Sequence, residues 1–236
     1  MVGARVVLKR GGRDEAEKPF WISFADLMTA LMVLFLVVMG VALLAVTKNV
    51  TEKEKREEQH RKDIELILDR FVKAAKRYDG IKVDRDRHVI DFGDRARFAF
   101  GKSNLTTEQE VVLRQFVPEI LTVANDELGK RVLKRVVVEG YTDKTGSYLS
   151  NLNLSLQRSQ RVLCSMFAAS GLSLLSGEQK ESVRSLFLVG GYSFNAAKDT
   201  DEESRRVEMR LEFLGVGEQR PEAPEQSGNF GECALK

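Results

Sequence analysis

The sequence predicts an α+β protein: one N-terminal membrane-spanning helix, a helical linker, and a βαβαββ sandwich. Three observations predict it. An almost unbroken apolar run extends from Phe20 to Val46, a stretch dense in mixed charge follows, and apolar residues then recur at helical and strand spacing as far as Leu214. The chain therefore divides into an N-terminal segment 1–19, a span 20–46, a linker 47–79, a domain 80–214 and a tail 215–236.

The span comes first. A helix rises 1.5 Å per residue, so a run of roughly 27 residues is about 40 Å long and crosses a bilayer with some tilt. A cleavable signal has an apolar core of only about 7–15 residues, so this segment is expected to stay. Arg5, Lys9, Arg10, Arg13 and Lys18 precede it, a basic flank of the kind retained in the cytoplasm. The chain is thus expected to be a single-pass inner-membrane protein with its N-terminus cytoplasmic and its C-terminal domain periplasmic.

One acid, Asp26, interrupts the run. Burying a charge at mid-membrane costs at least about 2.5–3.5 kcal/mol, which makes an intramembrane acid a functional candidate. Ser23, Asp26, Thr29, Ala30 and Val33 fall at three- and four-residue spacing and make one small, polar face. Such a face is expected to pack on other helices. The alternative is a signal anchor whose acid snorkels to the interface, but Phe20 and Trp21 mark an interface about two turns away.

From Lys48 to Asp63 the pairs Glu52/Arg56, Glu57/Arg61 and Glu58/Lys62 support a solvated helix, with Thr51 and Glu54 as a capping box. Ile64, Ile67, Leu68, Phe71 and Ala75 then form an apolar stripe. It could pair with a twin, lie on the membrane as a plug, or dock on the following domain.

In the domain, Ile81 with Val83, Val89 to Phe92, and Phe98 with Phe100 read as short strands broken at Gly93 and Gly101. Thr107 and Glu110 suggest a capped helix, with Val112, Phe116, Val117, Ile120, Leu121 and Ala124 on its apolar face and Pro118 bending it. Val132 to Glu139 is a buried strand. Leu149 to Ser170 is a helix with Leu152, Leu156, Leu163, Met166 and Phe167 toward the core. Leu186 to Gly190 is a strand, and in the last one Val207, Met209, Leu211 and Phe213 alternate with Arg206, Glu208, Arg210 and Glu212. The Gly-, Pro- and Glu-rich tail is expected to be disordered unless Cys233 pins it.

A net charge of +2 gives no sign of direct nucleic-acid binding. No enzyme is expected, since His60 and His88 stand apart without a nucleophile, a metal-ligand cluster or a phosphate loop; neither a metal nor a cofactor is called for. Two cysteines, Cys164 and Cys233, permit one disulfide in an oxidising compartment. The other reading is a buried thiol and a free one, and the sequence leaves both open.

The richest polar pattern outside the span is Gly140-Tyr-Thr-Asp-Lys-Thr-Gly146, followed by Asn151, Leu154-Ser155 and Arg158. Asp143 on a strand-to-helix turn and Arg158 along the helix could hold a zwitterion, the acid taking an ammonium and the guanidinium a carboxylate. Backbone N–H groups at the helix start could add anion contacts. The plainer reading is a turn acid and a surface arginine.

Those residues carry a resemblance. Residues 81–214 resemble the OmpA-like peptidoglycan-binding domain, whose signature runs Gly, a variable residue, Thr-Asp, then Gly, Asn, Leu-Ser and Arg, with a late Arg-Arg-Val matched by Arg205-Arg206-Val207. The usual histidine before Thr-Asp is Tyr141. The resemblance implies that Asp143 and Arg158 bind the diaminopimelate of the peptidoglycan stem, flanked by Tyr141 and Thr142, with Asn151, Leu154 and Arg206 in support.

Phe24-Ala-Asp-Leu-Met-Thr-Ala-Leu-Met is in turn similar to the span of the single-pass B subunits of ion-driven stators, where the matching aspartate carries the ion. The Ala-Asp-Leu-Met wording and the short N-terminal segment are most similar to the ZorB family of Zorya anti-phage motors. This implies a proton, or alternatively sodium, carried on Asp26 with Ser23, Thr29 and Ala30 in support. It also implies a MotA-like multi-span (ZorA-like) partner and a second copy of the chain. A flagellar stator subunit of the MotB type is the alternative within the family, and a passive OmpA-like cell-wall tether the alternative outside it.

Overall fold

The computed structural model describes residues 17–221 and 229–235. The basic flank before Glu17 and residues 222–228 of the tail lie outside it. The chain forms two compact units, residues 1–56 and 57–236.

In the first unit the described chain is wholly helical, the leading part of α1 (Glu17–Ala75). Its most apolar 18 residues have a mean hydropathy of 2.8, so by length and composition it can cross a membrane. The expected cap at Thr51 is absent because the helix does not restart: Thr51 lies mid-helix, where its hydroxyl donates to the Thr47 carbonyl at 2.9 Å.

The second unit begins inside the same helix. Ile67, Leu68, Phe71, Ala74 and Ala75 are buried in the main core, so the stripe docks on the domain. Burying a Leu, Ile or Phe side chain yields about 1.5–3 kcal/mol, and three of them make the last turns of α1 part of the domain. Two acids reinforce the docking. Asp63 accepts from Arg131 at 2.9 Å, and Asp69 pairs with Arg85.

The sheet contains β1 (Lys82–Asp84), β2 (Val89–Asp91), β3 (Leu133–Gly140), β4 (Phe187–Gly191) and β5 (Val207–Phe213), in spatial order β1-β2-β5-β3-β4. All neighbours are antiparallel except β3 and β4. That parallel pair needs a crossover, which α4 (Tyr148–Met166) and α5 (Gly177–Leu186) provide. Val136 and Val138 of β3 and Val207, Met209 and Leu211 of β5 face the core with Phe116, Val117 and Ile120 of α2 (Thr107–Asn125). The short α3 (Glu127–Val132) and α6 (Asp201–Ser204) complete the unit. The architecture is the predicted α+β class.

Three local expectations change. Helix α2 is capped one residue earlier, by Thr106 with Gln109 in a reciprocal box. Phe98 and Phe100 form no strand; a 3-10 turn at Gly93–Ala96 leads into a single bridge, Arg97 to Arg206, and then a loop. On α4, Leu156 is 43% exposed, while Asn151, Ser155, Arg158 and Ser159 are buried. The cause is close approach: a Cβ on Gly140 would lie 1.9 Å from the Ser155 carbonyl oxygen, and one on Gly191 2.8 Å from the Leu156 nitrogen. The two strand ends must be glycine to admit the small polar face of α4, which turns Leu156 outward.

Beyond β5 the Arg220 guanidinium donates to the carbonyls of Leu133, Ala124 and Gly129 at 2.8–2.9 Å. A disulfide joins Cys164 to Cys233.

Candidate functional site

The site is built where β3 runs out and α4 begins. Past Gly140 the backbone is pinned from both sides, Tyr141 N–H donating to the Arg206 carbonyl and Thr142 N–H to that of Ser193, each at 2.9 Å. Ser193 adopts a left-handed φ of 54° and is fully buried. Its amide donates to Ser155 Oγ at 3.0 Å and its hydroxyl to the Tyr148 carbonyl at 3.2 Å, so it ties the loop to the first turns of α4. Ser147 caps that helix.

Asp143 is 4% exposed, and both its oxygens are engaged. Oδ1 accepts the Thr145 amide at 3.0 Å, a local turn of the kind aspartate favours. Oδ2 accepts Arg205 Nη1 at 3.2 Å, and Arg205 Nε donates to the Phe98 carbonyl at the same distance. Asn151 braces the turn from α4, its Nδ2 donating to the Thr145 carbonyl at 2.9 Å.

Arg158 is fully enclosed. It donates from Nε to the Lys102 carbonyl at 2.9 Å, from Nη1 to Tyr141 at 2.6 Å and from Nη2 to Ala99 at 3.3 Å, and its guanidinium lies 5.1 Å from the Phe98 ring centroid. Burial pushes its pKa down to about 10, against the pull of Asp143 and with a further push from Arg205. The group therefore stays cationic at neutral pH. Arg158 is the beam on which the 98–102 loop and the end of β3 rest. A guanidinium has five N–H groups, and three serve these carbonyls.

Thr142 is 1% exposed, and its Oγ1 has no hydrogen-bond partner. Leaving a buried hydroxyl unpaired costs about 1–3 kcal/mol, and this one sits beside the Asp143 turn.

The structure thus brings Asp143, Thr142, Asn151, Arg158 and the backbone of Tyr141 together, with Leu154 half-buried on α4. It places the Tyr141 ring and Arg206 elsewhere, on the sheet face away from the helices. There Tyr141 donates to Glu139 at 2.7 Å and Arg206 to Glu208 at 2.7 Å, with the Arg206 guanidinium 4.2 Å from the Tyr141 ring centroid. Arg210 closes on Glu139 with two bonds of 2.6 and 2.9 Å, and Arg87 reaches Glu208 at 2.5 Å. Burial, then Glu139, drives the Tyr141 hydroxyl above its ordinary range. The residue that sequence reasoning passed over is Arg205, which touches Asp143 directly.

In the other unit Ser23, Asp26, Thr29 and Ala30 share one face of α1 by helical spacing, and the Thr29 hydroxyl donates to the Asp26 carbonyl at 2.8 Å.

Residues 97–229 match the OmpA family. The chain is 45% identical over 228 residues to "Zorya protein ZorB" of Escherichia coli O139:H28, covering 95% of this chain and 93% of that one. A second "Zorya protein ZorB", from the Crooks strain of Escherichia coli, is 24% identical over 227 residues, covering 88% and 93%. Among solved structures, the periplasmic domain of Helicobacter pylori MotB superposes with a TM-score of 0.37 at 15% identity, covering 53% of this chain and 80% of that one.

Proposed function

Since this chain belongs to the OmpA family and to the ZorB family, we propose that it is the wall-anchored B subunit of an inner-membrane, ion-driven motor of anti-phage defence. The ion is a proton carried on Asp26. The protein is an anchor and ion carrier, not an enzyme.

The observation that carries the anchor is the buried Asp143 carboxylate with a guanidinium on one oxygen, a second guanidinium in the wall of the site and an unpaired hydroxyl alongside. Diaminopimelate presents an ammonium and a carboxylate on one carbon. Its ammonium replaces Arg205 on Asp143 Oδ2, and its carboxylate takes the N–H groups that Arg205 and Arg158 have left, a two-pronged geometry that arginine favours. Thr142 Oγ1 gains its partner in the same step. The complex forms by exchange of one charge-assisted bond for others, so no charge is stranded in the buried site.

Asp26 supplies the moving part. One helix cannot shield a carboxylate from lipid, so its small face packs against a MotA-like multi-span partner, with a second copy of this chain completing the site. Protonation removes the charge and changes which contacts the acid prefers. A membrane potential acts on that charge with about 2.3 kcal/mol per 100 mV. The wall then holds one part still while the other turns.

Two variants of the full chain, assembled with its partner, test both halves. In sealed vesicles Asp26→Asn is expected to abolish proton uptake while the detergent-solubilised complex still sediments with purified peptidoglycan; Asp143→Asn is expected to do the reverse. Proton uptake unchanged by Asp26→Asn would remove the motor reading and leave a passive tether. Sedimentation unchanged by Asp143→Asn would remove the anchor site.

A further inference from the structure

Beyond Arg220 the chain is held in a second place and by a different means. Residues 229–235 lie along the end of α4, with the Phe230 ring packed against Phe167 at 5.0 Å between centroids and tilted by 40°, and the Leu235 carbonyl accepting from Arg161 Nη1 at 3.2 Å. Five of these seven residues are exposed, and none belongs to a helix or strand. Between this arm and α4 lies a hollow of about 490 Å³, lined by Leu163, Phe167, Ala168 and Phe230. A segment with so few buried groups gains little apolar burial against the entropy of being ordered. What fixes it is the bond from Cys164, half-buried on α4, to Cys233, which is exposed.

We propose that the Cys164–Cys233 disulfide is a redox latch for the C-terminal arm. Oxidised, it keeps residues 229–235 over Leu163 and Phe167. Reduced, it lets residues 229–235 leave and bares that apolar end of α4, while the sheet and the Asp143 site stay folded. The reductant is a dithiol. One of its thiolates attacks the exposed Cys233 Sγ, the S–S bond breaks, and Cys164 leaves as a thiolate that takes up a proton. The second thiol then displaces Cys233 from the mixed disulfide, so the chain gains two thiols and the dithiol ends as a disulfide. The Arg220 anchor involves no sulfur and is indifferent to the change.

The test uses the full-length chain in detergent with 4-fluorophenylalanine introduced at position 230 or, in a second sample, at position 116. Phe116 is fully buried in the core. In oxidised protein both fluorine resonances are expected to differ from their positions in urea. Dithiothreitol, or the Cys233→Ser substitution without it, is expected to move the 230 resonance to its urea position and sharpen it, leaving the 116 resonance in place. A 230 resonance unmoved in Cys233→Ser would show that the arm docks without the bond. A 116 resonance that moves as well would show that the bond holds the domain and not the arm. Free thiols at both positions in air-oxidised protein would also overturn the latch.

Discussion

Arg158→Ala is the substitution that best separates architecture from ligand binding. The side chain makes three charge-assisted bonds to the carbonyls of Lys102, Tyr141 and Ala99. Hydrogen bonds to charged groups are worth about 1.5–3 kcal/mol each, so the low end of that range already sums to about 4.5 kcal/mol. Truncation leaves those acceptors facing a void in place of a guanidinium, in a domain whose whole stability is expected to be about 5–15 kcal/mol. At 1.4 kcal/mol per decade the β3–β5 amides should lose about three orders of magnitude of hydrogen-exchange protection. Arg158→Lys, which keeps the charge but not the planar fork, should fall between. The assay is native-state exchange on the full chain in detergent, read beside peptidoglycan sedimentation. If Arg158→Ala keeps wild-type protection in β3 and β5 yet loses sedimentation, the structural role is refuted and the ligand contact alone remains.

Two further outcomes are expected. Thr142→Val removes an unpaired buried hydroxyl at nearly constant volume, so stability should hold or rise by about 1 kcal/mol while peptidoglycan binding weakens; a clear loss of stability in denaturant melts would mean that the hydroxyl has a partner in the free protein. Burial raises the Asp91 pKa, but Lys198, at 2.7 Å, and the Gly93 amide outweigh it and hold the carboxyl below its ordinary 3.8. The stability this lends is fully present above pH 3.8 and disappears as pH falls through the lowered folded-state value. Lys198→Gln should therefore flatten the acid limb of the stability profile by at most about 1 kcal/mol, the pair being partly exposed; an acid limb identical to wild type would exclude the pair as its source.

The span is legible because bilayer thickness sets a length that only an apolar run satisfies, and the apolar stripe because Ile67, Leu68 and Phe71 repeat at helical period, while what the stripe packs on is seen only in the fold. The short helices α3, α5 and α6 leave weaker traces, since in ten residues or fewer caps and tertiary contacts outweigh periodicity. On α4 Leu156 misled, while Leu163, Met166 and Phe167 pack on the core as expected, because hydrophobicity alone does not say which face meets a glycine-ended strand; the small residues do.

The adjacent Arg205 and Arg206 bond different acids, Asp143 and Glu208. Both belong to the Arg-Arg-Val wording, and resemblance alone does not say which one reaches Asp143. The strand pattern does. Val207, Met209 and Leu211 face the core, so in a period-two strand Arg206 falls in phase with Glu208 and Arg210 on the opposite face, where it bonds Glu208. Arg205 falls in phase with Val207, on the side of the helices, and that side holds Phe98, Arg158 and the Asp143 turn. Alternation already visible in the sequence thus assigns the first arginine to the site and the second to the Glu139–Glu208 cluster behind it. The two halves of the signature serve opposite faces of one sheet, and a substitution at either position tests a different part of the fold.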